Sequence, residues 1–151
     1  MMKTLIVYAS MSGNTEMIAD LIEESLQNEG VHVERKEALD LEANDMLSYD
    51  YILLGAYTWG DGELPDDFLD IYEGIGELDF SGKKAAVFGS GDRAYEHFCG
   101  AVDLLEHRIA ERGGELIVEG LKIEHAPYGE DIEQCRQFAK EFAEKIGVKT
   151  V

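Results

Sequence analysis

Runs of apolar residues alternate along this chain with segments in which apolar residues recur at helical spacing. Three of the runs are continuous enough to be strands buried on both faces, whereas residues 31–34 alternate apolar and polar as an edge strand does. The five predicted strands are residues 5–9, 31–34, 51–56, 84–89 and 116–118, the last extended through Leu121 and Ile123. Strands that alternate with helices predict a doubly wound, parallel α/β sheet.

The segments between the strands predict amphipathic helices. In the first segment Ile18, Leu21, Ile22 and Leu26 form one apolar stripe, and the helix is expected to begin near Asn14. Further helices are predicted near residue 44 (short) and over residues 65–73, 100–112 and 130–146. Because no repeat, linker or low-complexity tract interrupts the pattern, residues 1–151 are predicted to form one domain.

Length and cysteine content limit the class of protein. At 16.8 kDa and 45% apolar residues the chain can build a hydrophobic core, and no apolar run reaches membrane-spanning length. Two cysteines far apart in sequence do not suggest a disulfide framework, and Cys135 falls on the apolar stripe of the last helix. We therefore expect a cytoplasmic protein with its thiols reduced.

The charge balance is strongly acidic, with a formal net charge of −19. Proteins that bind nucleic acid or anionic membrane surfaces are typically basic, so neither partner is expected. The charge favours basic protein partners that approach by electrostatic steering. A merely well-solvated acidic surface is the alternative, and it predicts acids spread evenly.

Residues 10–15, Ser-Met-Ser-Gly-Asn-Thr, join the first strand to the first helix and have the character of an anion-binding loop. The first N–H groups of a helix lack intrahelical partners, and Gly13 lets a ligand approach the backbone closely. The loop has no lysine or arginine and matches neither G-x-x-x-x-G-K-[ST] nor G-x-G-x-x-G. It therefore predicts a single phosphate held by neutral donors, with a plain helix N-cap as the alternative.

Two further loops follow the third and fourth strands and each carries a large aromatic residue. Trp59 lies in residues 57–62 and Tyr95 in residues 90–95, and both loops should open at the edge of the sheet where residues 10–15 lie. Two aromatic rings at one crevice can hold a planar conjugated ring by offset stacking. The alternative is that both side chains cap the core.

These three loops together resemble those of the flavodoxin family. The similarity rests on Ser10–Thr15, Thr58–Asp61 and Gly91–Gly100, and the direct passage from Glu115 to Ile123 resembles the short-chain members. The resemblance implies a flavodoxin-like five-stranded parallel sheet in the order 2-1-3-4-5, with helices on both faces. Flavodoxin is itself a standard example of a ligand bound where the strand order reverses.

The resemblance also implies a function, which is low-potential transfer of one or two electrons by non-covalently bound FMN. Such a protein is a carrier and not an enzyme, with no catalytic residue and no metal. It is expected to be a monomer that takes electrons from a flavodoxin reductase and passes them to acceptors such as haem monooxygenases. The residues implied to contact FMN are Ser10, Met11, Ser12, Gly13, Asn14, Thr15, Thr58, Trp59, Gly60, Asp61, Gly62, Ser90, Gly91, Asp92, Tyr95, Phe98 and Cys99.

Within that resemblance Trp59 and Tyr95 stack on the two faces of the flavin, and the Gly60–Asp61 peptide lies near its N5 atom. Two residues depart from the family pattern. Tyr57 replaces a small residue, often serine, which puts a phosphate contact in doubt. Arg93 stands in an otherwise acidic or neutral loop, and its guanidinium either faces the flavin or pairs with a nearby acid such as Glu96.

Two other functions are the alternatives to an electron carrier. A response-regulator receiver needs paired acids after the first strand and a phosphorylatable aspartate after the third, and neither is present. An FMN-dependent reductase needs an open flavin face, which Trp59 and Tyr95 would cover. Of the four histidines, His97 follows the tyrosine-containing loop and could respond to pH near the flavin, while His32, His107 and His125 are scattered without metal-ligand spacing.

Overall fold

The computed structural model describes residues 3–147, so the first two and last four residues of the predicted 1–151 domain lie outside the described part. The strands are β1 (Thr4–Ala9), β2 (Val33–Glu37), β3 (Tyr51–Tyr57), β4 (Lys84–Gly91), β5 (Glu115–Leu116) and β6 (Leu121–Glu124). The α-helices are α1 (Asn14–Asn28), α2 (Asp66–Ile75), α3 (Gly100–Glu111) and α4 (Glu130–Lys145). Two short 3-10 helices, Ala38–Asp40 and Ala43–Ser48, lie between β2 and β3.

The strands form one parallel sheet in the order β2-β1-β3-β4-β5, which confirms the predicted order. The apolar runs of β1, β3 and β4 occupy its centre, where both faces are covered, and the alternating β2 lies at the edge. The register aligns Ala9 with Ala56 and Ala56 with Gly89, so these strands end close together. Their carboxyl ends therefore open onto one shared edge.

The fifth strand is interrupted, whereas the sequence predicted a continuous one. Both β5 and β6 pair with β4, through Ala85↔Leu116 and Phe88↔Leu121. Between those two pairs the fifth strand advances two residues more than β4 does, so the excess residues leave the ladder as a bulge. Ile117 and Val118 stay buried in the bulge, which explains why the apolar pattern continued through it.

Two hydrophobic clusters cover the faces of the sheet. One contains Phe68 of α2 and Leu105 of α3, and the other contains Ile18 of α1 and Phe142 of α4. Cys135 is buried in the second cluster, as the stripe of the last helix predicted. Within residues 3–147, no helix combines the length and the hydropathy needed to cross a membrane.

Candidate functional site

A cleft of about 160 Å³ opens at the carboxyl ends of the strands. It is lined by residues from the loops after β1, β3 and β4 and, in addition, from the turn after β6. The lining residues are Met11, Ser12, Asn14, Tyr57, Thr58, Gly60, Ser90, Gly91, Asp92, Tyr95, His97, Cys99 and His125. The fold thus brings the three predicted loops to one crevice.

The loop after β1 presents unpaired backbone donors. The hydroxyl of Ser10 accepts hydrogen bonds from the N–H groups of Gly13 (3.1 Å) and Glu16 (3.2 Å), and the first helical bond runs from Met17 to the Gly13 carbonyl (3.0 Å). Among the described residues, the N–H groups of Asn14 and Thr15 find no acceptor. Gly13 has φ 92°, and a Cβ there would meet no atom within 4 Å. These two donors at the positive end of a helix dipole suit an anion.

Side chains of this loop divide into two groups. Met11, Ser12 and Asn14 line the cleft, whereas the Ser10 hydroxyl is used within the loop. Thr15 is fully buried, and its hydroxyl lies 2.7 Å from the hydroxyl of Ser90 at the end of β4. In this structure Thr15 offers the cleft its backbone N–H and not its side chain.

The loop after β3 is a tight hairpin that leaves Trp59 at the surface. Trp59 and Glu63 exchange backbone hydrogen bonds of 2.7 and 2.9 Å, and Gly60 turns the chain between them with φ 52°. Thr58 and Gly60 line the cleft, and Trp59 stands beside it with 52% of its surface exposed. A half-exposed tryptophan is a large apolar surface that a flat ligand can cover.

The loop after β4 places Tyr95 and Asp92 at the cleft. The Asp92 carboxylate accepts the N–H of Ala94 (2.8 Å), and the Asp92 carbonyl accepts the N–H of Tyr95 (3.1 Å), which closes a turn. Tyr95 is 48% exposed, so its ring is as open to a ligand as that of Trp59.

Cys99 and Phe98 occupy different environments at the start of α3. Cys99 lies under the cleft with a fully buried side chain, and burial raises the pKa of its thiol to about 12, so the thiol stays protonated. Phe98 lies outside the cleft and packs beneath the guanidinium of Arg93, which is 4.3 Å from the ring centroid. Of the two residues, only Cys99 contributes to the lining.

Arg93 turns away from the cleft. In addition to its position over Phe98, its Nε lies 3.9 Å from the carboxylate of Glu124, and its backbone N–H donates to the same carboxylate at 3.0 Å. The expected pairing with an acid is therefore found, but the acid is Glu124 from β6 and not Glu96. A guanidinium with 66% of its side chain exposed is well screened by water.

Two histidines line the cleft that were absent from the predicted FMN contacts. His97 contacts Asp61, and His125 lies 3.8 Å from Asp92 and 3.9 Å from Glu124. The signal for His125 was available, because it directly follows the fifth strand and the carboxyl-end rule applies to that strand too. Judged by metal-ligand spacing alone, His125 is only one of the scattered histidines.

Asp61 and Gly62 lie on the outer side of the tryptophan loop, away from the cleft lining. The pKa of the Asp61 carboxyl is lowered, first by the backbone N–H of His97, which donates to it at 2.9 Å, and then by the His97 ring. The carboxylate therefore stays ionised at neutral pH. Asp61 thus adds a negative charge outside the cleft, whereas Asp92 lies in the lining itself.

Comparisons with known proteins agree with this geometry. The family model described as Flavodoxin matches residues 6–138. "Probable flavodoxin 2" of Bacillus subtilis is 55% identical over 148 residues, which cover 97% of this chain and 98% of that relative. The crystal structure of oxidised flavodoxin 2 from Bacillus cereus superposes with a TM-score of 0.92 at 56% identity, covering 95% of this chain and 99% of that one. A short-chain flavodoxin associated with a bacterial microcompartment gives a TM-score of 0.91 at 34% identity, covering 96% and 99%.

Proposed function

This chain belongs to the flavodoxin family, and we propose that its cleft holds FMN with the phosphate on the first turn of α1 and the ring between Trp59 and Tyr95. Members of this family are FMN-binding electron carriers and not enzymes, and that is the function of this chain. FMN supplies the redox chemistry, and the protein supplies binding, orientation and electrostatics. What remains is to assign those tasks to particular residues.

The phosphate is assigned to the loop after β1 because its donors fit. The N–H groups of Asn14 and Thr15 have no acceptor among the described residues, and the space above Gly13 is open. Ser12 and Asn14 add polar side chains at the cleft wall. The loop has no cationic side chain, so the affinity for phosphate rests on backbone donors, the neutral side chains of Ser12 and Asn14 and the helix dipole.

The ring is assigned to Trp59 and Tyr95, and their exposure is the observation that carries the proposal. The two side chains stand on separate loops beside one cleft and are 52% and 48% exposed. Covering both with a planar ring removes apolar surface from water and allows offset stacking on each face. The aromatic side chains then exclude water from the two faces and leave an edge through which electrons can pass.

Charges at the cleft set the direction of the redox tuning. Asp92 lines the cleft and Asp61 lies in the loop that carries Trp59, on its outer side, and each carboxylate disfavours the arrival of further negative charge. Arg93 is turned toward Glu124 and compensates little. We accordingly propose a low-potential carrier.

The partners that suit this surface are basic redox proteins. Five acids lie in or directly after the loop that carries Trp59 and in the first half of α2: Asp61, Glu63, Asp66, Asp67 and Asp70. We propose that these acids dock basic patches on a reductase and on acceptors such as haem monooxygenases. We also propose that the carrier acts as a monomeric, single FMN-binding domain over residues 1–151. Its two buried free cysteines are compatible with a reducing cytoplasm.

The assignment of the ring is tested by measuring the dissociation constant of FMN for Trp59→Ala and Tyr95→Ala. Each substitution should weaken FMN binding by about 5- to 30-fold, since stacking on one aromatic side chain is worth ~1–2 kcal/mol. Tyr128→Ala is the matched control, because Tyr128 is a 78% exposed aromatic residue outside the cleft. Equal affinities for all three variants would refute the assignment.

A further inference from the structure

Asp61 and His97 form a direct contact between the two aromatic loops. The backbone N–H of His97 donates to Asp61 Oδ1 at 2.9 Å, and the ring Nδ1 of His97 lies 3.3 Å from the same oxygen. Asp61 follows Trp59 by two residues, and His97 follows Tyr95 by two. The contact therefore connects the loops that carry the proposed ring-stacking side chains.

Close backbone packing surrounds this contact. A Cβ on Gly62 would lie 2.6 Å from the Cβ of His97, and a Cβ on Gly100 would lie 2.6 Å from the Cα of Gly62. The tryptophan loop thus rests directly on the start of α3. Because the two loops are closely packed, a change in the strength of the Asp61–His97 contact affects the positions of both loops.

The charged groups around His97 are mostly acidic. A carboxylate oxygen of Asp61, a carboxylate oxygen of Glu96 and a ring nitrogen of His97 lie within 4.8 Å of one another. Asp61 and His97 also line a groove outside the cleft, and Asp103 of α3 lines the same groove. The other titratable residues that line the cleft with His97 are Tyr57, Asp92, Tyr95, Cys99 and His125. Protonation of the His97 ring converts a contact between a neutral imidazole and the ionised Asp61 carboxylate into an ion pair.

We propose that Asp61 and His97 are positioning residues whose contact strengthens when His97 is protonated, so that the two aromatic loops hold FMN more tightly at mildly acidic pH. The proposal rests on the assignment of the ring to Trp59 and Tyr95. Both side chains are exposed, so the effect has the size of a surface ion pair.

The test is a double-mutant cycle on FMN affinity at two pH values. Holoprotein is diluted until FMN dissociates, and the fluorescence of released FMN gives the dissociation constant at about pH 5.5 and about pH 8, near the two ends of the range in which histidine side chains in general change charge. The cycle compares the wild type with Asp61→Asn, His97→Gln and the double variant. The backbone N–H of His97 is present in all four, so the cycle isolates the ring. We expect a coupling of about two- to fivefold in affinity at the lower pH and none at the higher.

A second variant separates charge from mere packing. His97→Lys keeps a cation at both pH values, so its coupling to Asp61 should persist at about pH 8. His125→Asn is the matched control, because His125 also lines the cleft but has Asp92 and Glu124 as its acidic neighbours. Its effect should add to that of Asp61→Asn without coupling.

The outcomes separate this proposal from the one on which it rests. Equal coupling at both pH values, no coupling at the lower pH, or the same coupling for His125→Asn would overturn the pH-dependent pair while leaving the ring assignment intact. If Trp59→Ala and Tyr95→Ala leave the affinity unchanged, the ring assignment fails first. The proposal is established if His97 couples to Asp61 only at the lower pH and the lysine of His97→Lys couples to Asp61 at both pH values.

Discussion

The hydroxyl oxygens of Thr15 and Ser90 lie 2.7 Å apart in a buried hydrogen bond that joins the first turn of α1 to the end of β4. The two residues are separated by 75 positions in sequence, and the bond holds the anion-binding loop against the strand that leads to Tyr95. The phosphate end and the ring end of the cleft are thereby connected through the protein interior.

The first prediction concerns the contribution of this hydrogen bond to stability. Thr15→Val and Ser90→Ala each leave one buried hydroxyl without its partner, which should lower the free energy of unfolding by about 1–2 kcal/mol. Because both variants lose the same bond, the double variant should cost about 1 kcal/mol less than the sum of the two. Urea unfolding of the FMN-free proteins measures all four values. Strictly additive losses would show that the two hydroxyls contribute independently.

The second prediction concerns pH and the pair Tyr49–Glu34. The hydroxyl of Tyr49 donates to the Glu34 carboxylate, which raises the pKa of Tyr49 from 10.0 to about 12 and lowers that of Glu34 from 4.5. Because the pKa of Tyr49 is raised, this residue contributes stability that is present below pH 10 and lost as pH rises toward 12. Because the pKa of Glu34 is lowered, this residue contributes stability that is present above pH 4.5 and lost on acidification.

Tyr49→Phe should therefore lower the Tm at neutral pH, and the difference from wild type should shrink at both extremes. Thermal unfolding followed by circular dichroism across the pH range measures this difference. Tyr128→Phe, at an exposed position, is the control and should track the wild type throughout. A deficit for Tyr49→Phe that does not change with pH would assign the loss to packing.

The third prediction concerns association with redox partners. Replacing Asp66 and Asp67 by asparagine removes two charges from the first turn of α2, which follows the loop that carries Trp59. Electron-transfer rates with a basic partner at low protein concentration should fall in this variant and should fall in the wild type as salt is raised. The matched control replaces Glu73, in the last turn of α2, and Glu77, two residues after its end, by glutamine, and its rates should stay near wild type. If both pairs slow the reaction equally, net charge and not the docking surface is responsible.

The fourth prediction concerns Arg93. The guanidinium of Arg93 packs on Phe98 and faces Glu124. Arg93→Ala should therefore leave the potential of the second reduction step unchanged to within about 10 mV, whereas loss of a charge turned toward the cleft would lower that potential by a few tens of millivolts. Stability should fall by about 0.5–1 kcal/mol through loss of the cation–π contact. Anaerobic redox titration of the two proteins side by side measures the potentials. A clear drop in the second potential would place the guanidinium near the flavin in the holoprotein.

Much of the fold could be predicted because burial leaves a local pattern in sequence. The unbroken apolar runs of β1, β3 and β4 and the alternation near β2 distinguish central from edge strands by burial alone. The stripe of α1 and the Ser10–Thr15 loop before it also depend on neighbouring residues only. Such features follow from side-chain periodicity and from the unpaired N–H groups of any helix start.

The sequence by itself thus determined the parallel α/β class, the helix positions and the three loops of the cleft. Only the tertiary structure decided which distant side chains meet there: Thr15 with Ser90, Arg93 with Glu124, and Asp61 with His97. It also decided that the fifth strand is divided by a bulge into β5 and β6. These pairings depend on strand register and loop conformation, which are set by packing across the whole sheet and leave no periodic signal in any single segment.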